Sequence, residues 1–305
     1  MEKQLSRRAS EILLALVIIA RATGYLFSKL GMTRLGIFNL LALRFLIAFI
    51  LLGVGFAPRL RRIGRQSLRA GLIMGGLYFL VMTAELSGLK RTASSTVSFL
   101  ENTAIVLVPL FGAAVSRRAP GLKAILCAGV TLAGVGFLTL GGGVRFGAGE
   151  AFSILAATLY ACAILTTDRL THRGAIDTVA AGIVQVATIG VLSLLVSCIV
   201  ETPRLPQSGM EWGSVLALAI VCSGFGFTLQ PVAQAGTTAE RAGMFCALNP
   251  LVASVLGVVF LHEHIGVQAI IGAALILAGI LLSYAKLPAG TLPKRRKSLH
   301  NINAE

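Results

Sequence analysis

Residues 178–200 and 212–239 contain no Asp, Glu, Lys or Arg. Each stretch is at least as long as the roughly 20 apolar residues that a helix needs to cross the hydrocarbon core of a bilayer. Similar runs with few or no charges recur along the sequence. Ten can be marked, at 11–31, 36–56, 70–89, 93–116, 121–142, 149–168, 178–200, 212–231, 239–261 and 267–285. Hydrophobic residues make up 56% of the chain and charged residues 13%, and the mean hydropathy is +0.85. An all-α polytopic membrane protein is therefore expected, with little sequence left for a soluble domain. The five cysteines (Cys127, Cys162, Cys198, Cys222, Cys246) fall singly in five different spans with no CxxC pair, and read as small hydrophobes. The basic start "MEKQLSRRAS", followed by "EILLALVIIARA", has the outline of a signal peptide. It is read instead as the first span, because removing it would spoil the repeat described below.

The formal charge of +15 reads as a topology signal. With the N-terminus inside, nineteen of the 27 basic residues fall in inner segments and six (Lys29, Arg34, Lys90, Arg91, Arg145, Arg204) in outer loops; Arg21 and Arg44 lie within spans. Positive residues mark the cytoplasmic side, so both termini are expected in the cytoplasm, and no module is left that could read a nucleic acid.

An internal repeat follows. "TLAGVGFL", at the end of the fifth span, resembles "ILAGILLS" at the end of the tenth, 145 residues later, and "SEILLALVIIA" (10–20) lines up with "GEAFSILAATL" (149–159). This register sets Glu11 beside Glu150, Arg21 beside Tyr160 and Glu85 beside Gln230. Five spans per copy is an odd number, so the second copy enters the membrane inverted, an arrangement typical of secondary transporters with a substrate site near the midplane. The expected organisation is a cytoplasmic N-terminus (1–10), a first five-helix repeat (11–142), a second (149–285) and a basic cytoplasmic tail (286–305).

The segment "TTAERAGMFCALNPLVASVLGVVFLHEHIGVQAIIGAALILAGILLSY" (237–284) resembles the C-terminal repeat of EamA-type transporters of the drug/metabolite transporter superfamily, with Pro250, Glu263 and the "LAGIL" ending in the family's order. "LALRFLIA" (41–48) is similar to the family's second helix, which implies that Arg44 is a residue many members possess. Across about residues 11–285 the resemblance implies ten transmembrane helices in two inverted five-helix repeats around a central cavity. The chain departs from the family at Arg21 and Ala22, where members commonly carry a tryptophan and a glycine, and at Arg118, which aligns with a common glutamate. Pro109 also sits about one turn later than its counterpart Pro250.

Away from the span ends, four ionisable residues lie inside spans: Arg21, Arg44, Glu85 and Glu101. Each costs about 2.5–3.5 kcal/mol at a helix centre on insertion scales, so such groups face a cavity or one another. At about 1.5 Å per residue, Glu85 lies about 6 Å from the outer helix end, Arg44 and Glu101 about 12 Å, and Arg21 about 15 Å. The second half offers Tyr160, Gln185, Gln230 and Asn249. One reading is a cavity with positive and negative walls that binds a zwitterion or a charged metabolite, faced by Arg21 and Glu101; the other is internal pairing, of Arg44 with a glutamate or with helix-end carbonyls and, as the alternative for Arg21, of Arg21 with Glu101. Pro250 and Pro109 are candidate flex points. Gly71-xxx-Gly75 and Ala274-xxx-Ala278 suggest close helix packing.

No cofactor or metal site is expected, since the histidines of "HEH" (262–264) are two apart and do not share a helical face, and no catalytic set can be assembled. The expected function is secondary transport of a small polar or amphipathic metabolite, such as an amino acid, outward across a bacterial inner membrane by alternating access. An anionic group on the substrate would suit Arg21, and the energy would come from the substrate gradient or from proton exchange with Glu85 or Glu101 as the proton carrier. Uptake by the same fold is the close alternative. A receptor or assembly subunit, and an intramembrane enzyme using Glu101 and Arg21, are the readings from other classes. The sequence leaves the oligomeric state open.

Overall fold

The computed structural model describes residues 7–115, 117, 121–140, 147–173, 176–236, 248–264 and 266–284. Arg118, Cys246, the first part of the ninth expected span and the basic tail lie outside the described residues. All regular structure among the described residues is helical. The helices are α1 (Arg7–Gly31), α2 (Ile37–Gly55), the short α3 (Ala57–Arg61), α4 (Arg65–Leu89), α5 (Ser94–Asn102), α6 (Ala104–Val115), α7 (Leu122–Leu140), α8 (Ala148–Arg173) and α9 (Thr178–Val200). After α9 come α10 (Gly209–Ala217), a π-helical segment (Leu218–Phe227), α11 (Thr228–Ala235), α12 (Leu248–Leu261) and α13 (Val267–Tyr284). Among the described residues, seven helical stretches are long and apolar enough to span a membrane, and Ile125–Phe137, Leu248–Leu261 and Ile270–Leu282 are shorter apolar helices. Large apolar side chains such as Val54, Ile199 and Val255 lie exposed on the outside. Water would disfavour such a surface, and lipid solvates it.

Two spans expected as single α-helices are interrupted. The fourth breaks at Thr103, where local side-chain bonds compete with the backbone ladder. Ser98 Oγ donates to Ser95 O (2.8 Å), Asn102 Nδ2 to Ser98 O (2.7 Å) and Thr103 Oγ1 to Leu100 O (2.7 Å). Pro109, one turn further on in α6, lacks the N–H that would continue the ladder. The eighth span widens into the ten-residue π segment just before Pro231. The proline ring crowds the carbonyl four residues back, at Phe227, and Gly224 and Gly226 make the wider winding easy to adopt. Extended π-helix is rare and is found mostly at functional sites.

Packing brings the two halves together throughout. Helix α4 lies against α8 and α9, α2 against α9, α5 against α12 and α7 against α13, while α1 packs on the 209–235 stretch and on α12. The expected close packing at Gly71 and Gly75 is present: a Cβ at Gly71 would stand 2.6 Å from Val184 Cβ, and one at Gly75 would run into Thr188. The expectation for Ala274-xxx-Ala278 is corrected. Ala274 is exposed, and α7 meets α13 closely at Gly134 and Gly279 instead, where a Cβ would stand 2.8 Å from Gly272 O and 3.0 Å from Cys127 O.

Helix ends are tied along two rims. On one, the ends of α1 and α12 and the starts of α5 and α8 are linked through Lys29, Thr92, Ser94, Glu150 and Glu263. Next to them, Glu201 accepts from Asn39 N (2.8 Å) at the start of α2, and Arg204 donates to Arg34 O (2.8 Å). On the other rim Asp177 caps α9 through Ala180 N (2.9 Å), accepts from Arg59 Nε (2.6 Å) and donates its own N–H to Ser67 Oγ (2.9 Å).

Candidate functional site

Between the rims, an aromatic cluster of Tyr25, Phe45, Tyr78, Tyr160 and Phe227 forms the centre of the main core. Arg21 enters this cluster from α1. Its Nη1 donates to Gln230 Oε1 (2.7 Å) on α11 and to Tyr160 Oη (3.2 Å) on α8. The guanidinium carbon lies 4.4 Å from the Phe227 ring centroid and 5.4 Å from that of Tyr160. Gly226 makes room, since a Cβ there would stand 2.8 Å from Arg21 Cγ. Gln230 Nε2 in turn donates to Tyr78 Oη (3.0 Å). A desolvated cation–π contact contributes about 2 kcal/mol and a charge-assisted hydrogen bond about 1.5–3 kcal/mol. These contacts offset the cost of carrying the cation into the span without a carboxylate in contact. Of the five N–H donors on a guanidinium, those on Nε and Nη2 have no hydrogen-bond partner among the described residues.

A second polar group lies one turn along α1. Tyr25 Oη donates to Glu101 Oε2 (2.6 Å) and accepts from Asn249 Nδ2 (3.3 Å) on α12. The Glu85 carboxyl meets that of Glu101, and both residues are buried. Two buried carboxyl groups in contact form a pair that can share one proton. In place of the alternative Arg21–Glu101 pair, the two residues have separate hydrogen-bond partners, the arginine Gln230 and Tyr160 and the glutamate Tyr25, and the hydrogen bonds of Arg44 go to serines and not to a glutamate. Arg44 stands apart: it is 3% exposed, with Nε on Ser223 Oγ (3.0 Å), Nη1 near Ser28 Oγ (3.4 Å) and its guanidinium carbon 4.8 Å from the Phe45 centroid. Pro250 is buried in α12, next to Asn249, whereas Pro109 is exposed on the outside of α6.

The sequence reading missed Tyr25, Tyr78, Phe227 and the clasp at Glu263. Tyr25 was within reach, since it follows Arg21 by four residues and so shares its helical face. Glu263 accepts from Lys29 Nζ (2.9 Å), from Ser94 N and Oγ (2.8 and 2.7 Å) and from Ser95 N and Oγ (3.3 and 3.1 Å). Partial burial alone would raise this carboxyl, but Lys29 and Ser94 bring it from 4.5 down to about 2. The clasp therefore contributes its full stability above about pH 4.5 and loses it only as the pH falls through about 2.

The sequence pattern of the EamA-like transporter family matches residues 8–140 and again residues 147–285. The chain belongs to the EamA-like transporter family. This family lies within the drug/metabolite transporter superfamily, and the chain is accordingly a multi-pass membrane protein. An uncharacterized transporter of Archaeoglobus fulgidus is 24% identical to this EamA-like chain over 285 residues, covering 91% of this chain and 98% of its own. A solved crystal structure superposes with a TM-score of 0.66 at 22% identity, over 91% of this chain and 97% of that one, which supports the fold.

Proposed function

We propose that this EamA-like protein is a secondary transporter with ten transmembrane helices in two inverted repeats, moving a small polar metabolite with an anionic group outward across a bacterial inner membrane. The observation that carries the substrate class is Arg21, a cation inside a span whose hydrogen bonds go to neutral partners and whose guanidinium keeps donors to spare. A carboxylate or phosphate on the cargo matches that fork. The inverted repeat is supported by the rims, since α1 ends and α8 begins on the same side. It is also supported by the packing of α4 on α8, which the 209–235 stretch repeats on α1.

Alternating access needs one rim closed while the other opens. The Glu263 clasp ties α1, α5 and α12 together on one rim and serves as the outer gate. Glu263→Gln is expected to raise the reactivity of a cysteine at Ser98 toward a membrane-impermeant thiol reagent added outside. In the parent carrying that cysteine, reactivity corrected for the thiolate fraction at each pH should stay flat between about pH 5 and 8, because the Glu263 carboxylate stays ionised there. Unchanged labelling in the variant would remove the gate. Tags at residues 1 and 305 should both report the cytoplasm and a tag within 201–211 the periplasm; termini on opposite sides would overturn the ten-helix arrangement.

Counterflow in proteoliposomes tests the substrate class. Small carboxylates and amino acids should exchange, while matched cationic amines should not. Exchange of the amines alone would exclude the anionic reading.

A further inference from the structure

Arg44 has a partner position in the second half. Setting "LALRFLIA" (41–48) against "GIVQVATI" (182–189) places Gln185 opposite Arg44. The offset that pairs Arg21 with Tyr160 carries Ser28 to Thr167, and the one that pairs Glu85 with Gln230 carries Ser223 to Tyr78. The two serines that hold Arg44 therefore correspond to Thr167 and Tyr78. The arginine has two hydrogen-bond partners, whereas the glutamine side chain has none among the described residues. Gln185 is 1% exposed, and neither Nε2 nor Oε1 has a hydrogen-bond partner among the described residues. The same holds for Thr167 Oγ1 (1% exposed) and Thr228 Oγ1 (2% exposed).

The helices that carry these three groups meet around α11, which packs on both α8 and α9, and the positions of the groups along them point to one level of the bundle. Met74, Ala181 and Leu170 pack together. One turn toward the centre along their helices lie Tyr78, Gln185 and Thr167 respectively, since residues three and four apart share a face. Gly182 abuts Thr228, for a Cβ there would stand 2.5 Å from Thr228 O, and Gly75 brings α4 against the Gln185 carbonyl. From this layer Tyr78 reaches Gln230, and Gln230 reaches Arg21. Buried polar groups are normally paired, and those that are not call for an explanation.

We propose that Gln185, Thr167 and Thr228 form a second subsite, beside the Arg21 centre on the side of the Arg59–Asp177 rim, that takes an uncharged hydrogen-bonding group of the cargo, a hydroxyl or a carboxamide. An amide and two hydroxyls both donate and accept, and none of them carries a charge to balance an ion. A site built this way discriminates strongly against an analogue that lacks the polar group, because its own buried groups are then left unpaired. The proposal rests on the substrate reading above, with Arg21 holding the anionic end while this layer reads the rest.

The test measures thermal shifts of the purified full-length protein with two near-isosteric pairs: serine against 2-aminobutyrate, and asparagine against leucine. The parent should bind the polar member of each pair about tenfold or more tightly, the worth of one buried hydrogen bond. Gln185→Leu should bring the ratio for asparagine close to one. The empty variant should melt higher than the parent, since an unpartnered buried amide has been removed. Thr167→Val, close in volume, should reduce the serine preference and is the second variant should Gln185→Leu fail to fold. A preference that survives in both variants overturns the subsite, as does a lower melting temperature of Gln185→Leu with the ratios unchanged. Absence of any shift in the parent overturns it too. The methyl esters of the four compounds separate the two readings: esters that bind as well as the acids refute the anionic contact at Arg21, while the polar preference and its loss still decide the subsite.

Discussion

Arg21→Ala is expected to weaken the binding of anionic cargo by about 30- to 1,000-fold, the equivalent of about 2–4 kcal/mol for one or two charge-assisted hydrogen bonds. The measurement is a thermal-shift or exchange titration with the carboxylate that binds the parent best. Arg21→Lys should retain part of the affinity, since an ammonium supplies the charge without the planar fork. In Arg21→Trp the indole would lie between Phe227 and Tyr160, the rings that now flank the guanidinium. Gln230 would keep its bond to Tyr78, so the pocket should stay formed and its preference should move toward apolar cargo. A purely structural role for Arg21, neutralising Glu101, makes a different prediction. The double variant Arg21→Gln, Glu101→Gln would then transport as well as the parent. The separate partners of the two residues, Gln230 and Tyr160 for one and Tyr25 for the other, lead us to expect no such rescue.

Much of the fold was legible because lipid imposes a coarse rule: a helix must stay apolar for about 20 residues. The charge-free runs at 178–200 and 212–231 needed nothing else to be read. What interrupts the helices was less legible. The break at Thr103 comes from Ser98, Asn102 and Thr103 bonding to nearby carbonyls, and such bonds form or not according to local geometry. The π segment likewise answers to a glycine pair and a proline whose joint effect has no sequence period of its own. At the site, the charged residues announced themselves by their cost, whereas their partners did not. Tyr78 and Phe227 look like ordinary core residues, and only the three-dimensional meeting of α4, α8 and the 209–235 stretch turns them into the walls around Arg21. The clasp could have been found by asking which acid at the outer end of one helix faces a base at the outer end of another, because Lys29 and Glu263 both fall there in the expected topology.

Glu101→Gln is expected to abolish accumulation driven by a pH gradient while leaving cargo exchange largely intact. A one-unit gradient is worth about 1.4 kcal/mol, or about tenfold accumulation for each proton exchanged. For export in exchange for an incoming proton, cargo should gather on the acid side of a vesicle. The buried carboxyl pair of Glu85 and Glu101 is suited to hold that proton, and it is one turn from Arg21 through Tyr25. The amide at position 101 keeps an acceptor for the Tyr25 hydroxyl but can neither take up nor give up a proton. The fold and the exchange half of the cycle should therefore survive. Glu85→Gln should reduce coupling as well, because the remaining carboxyl loses its partner in sharing the proton. The decisive comparison is accumulation against exchange in the same vesicles. Normal stimulation by a pH gradient in the double variant Glu85→Gln, Glu101→Gln would remove the pair from the coupling step, and loss of exchange in Glu101→Gln would reassign that carboxyl to holding the cargo.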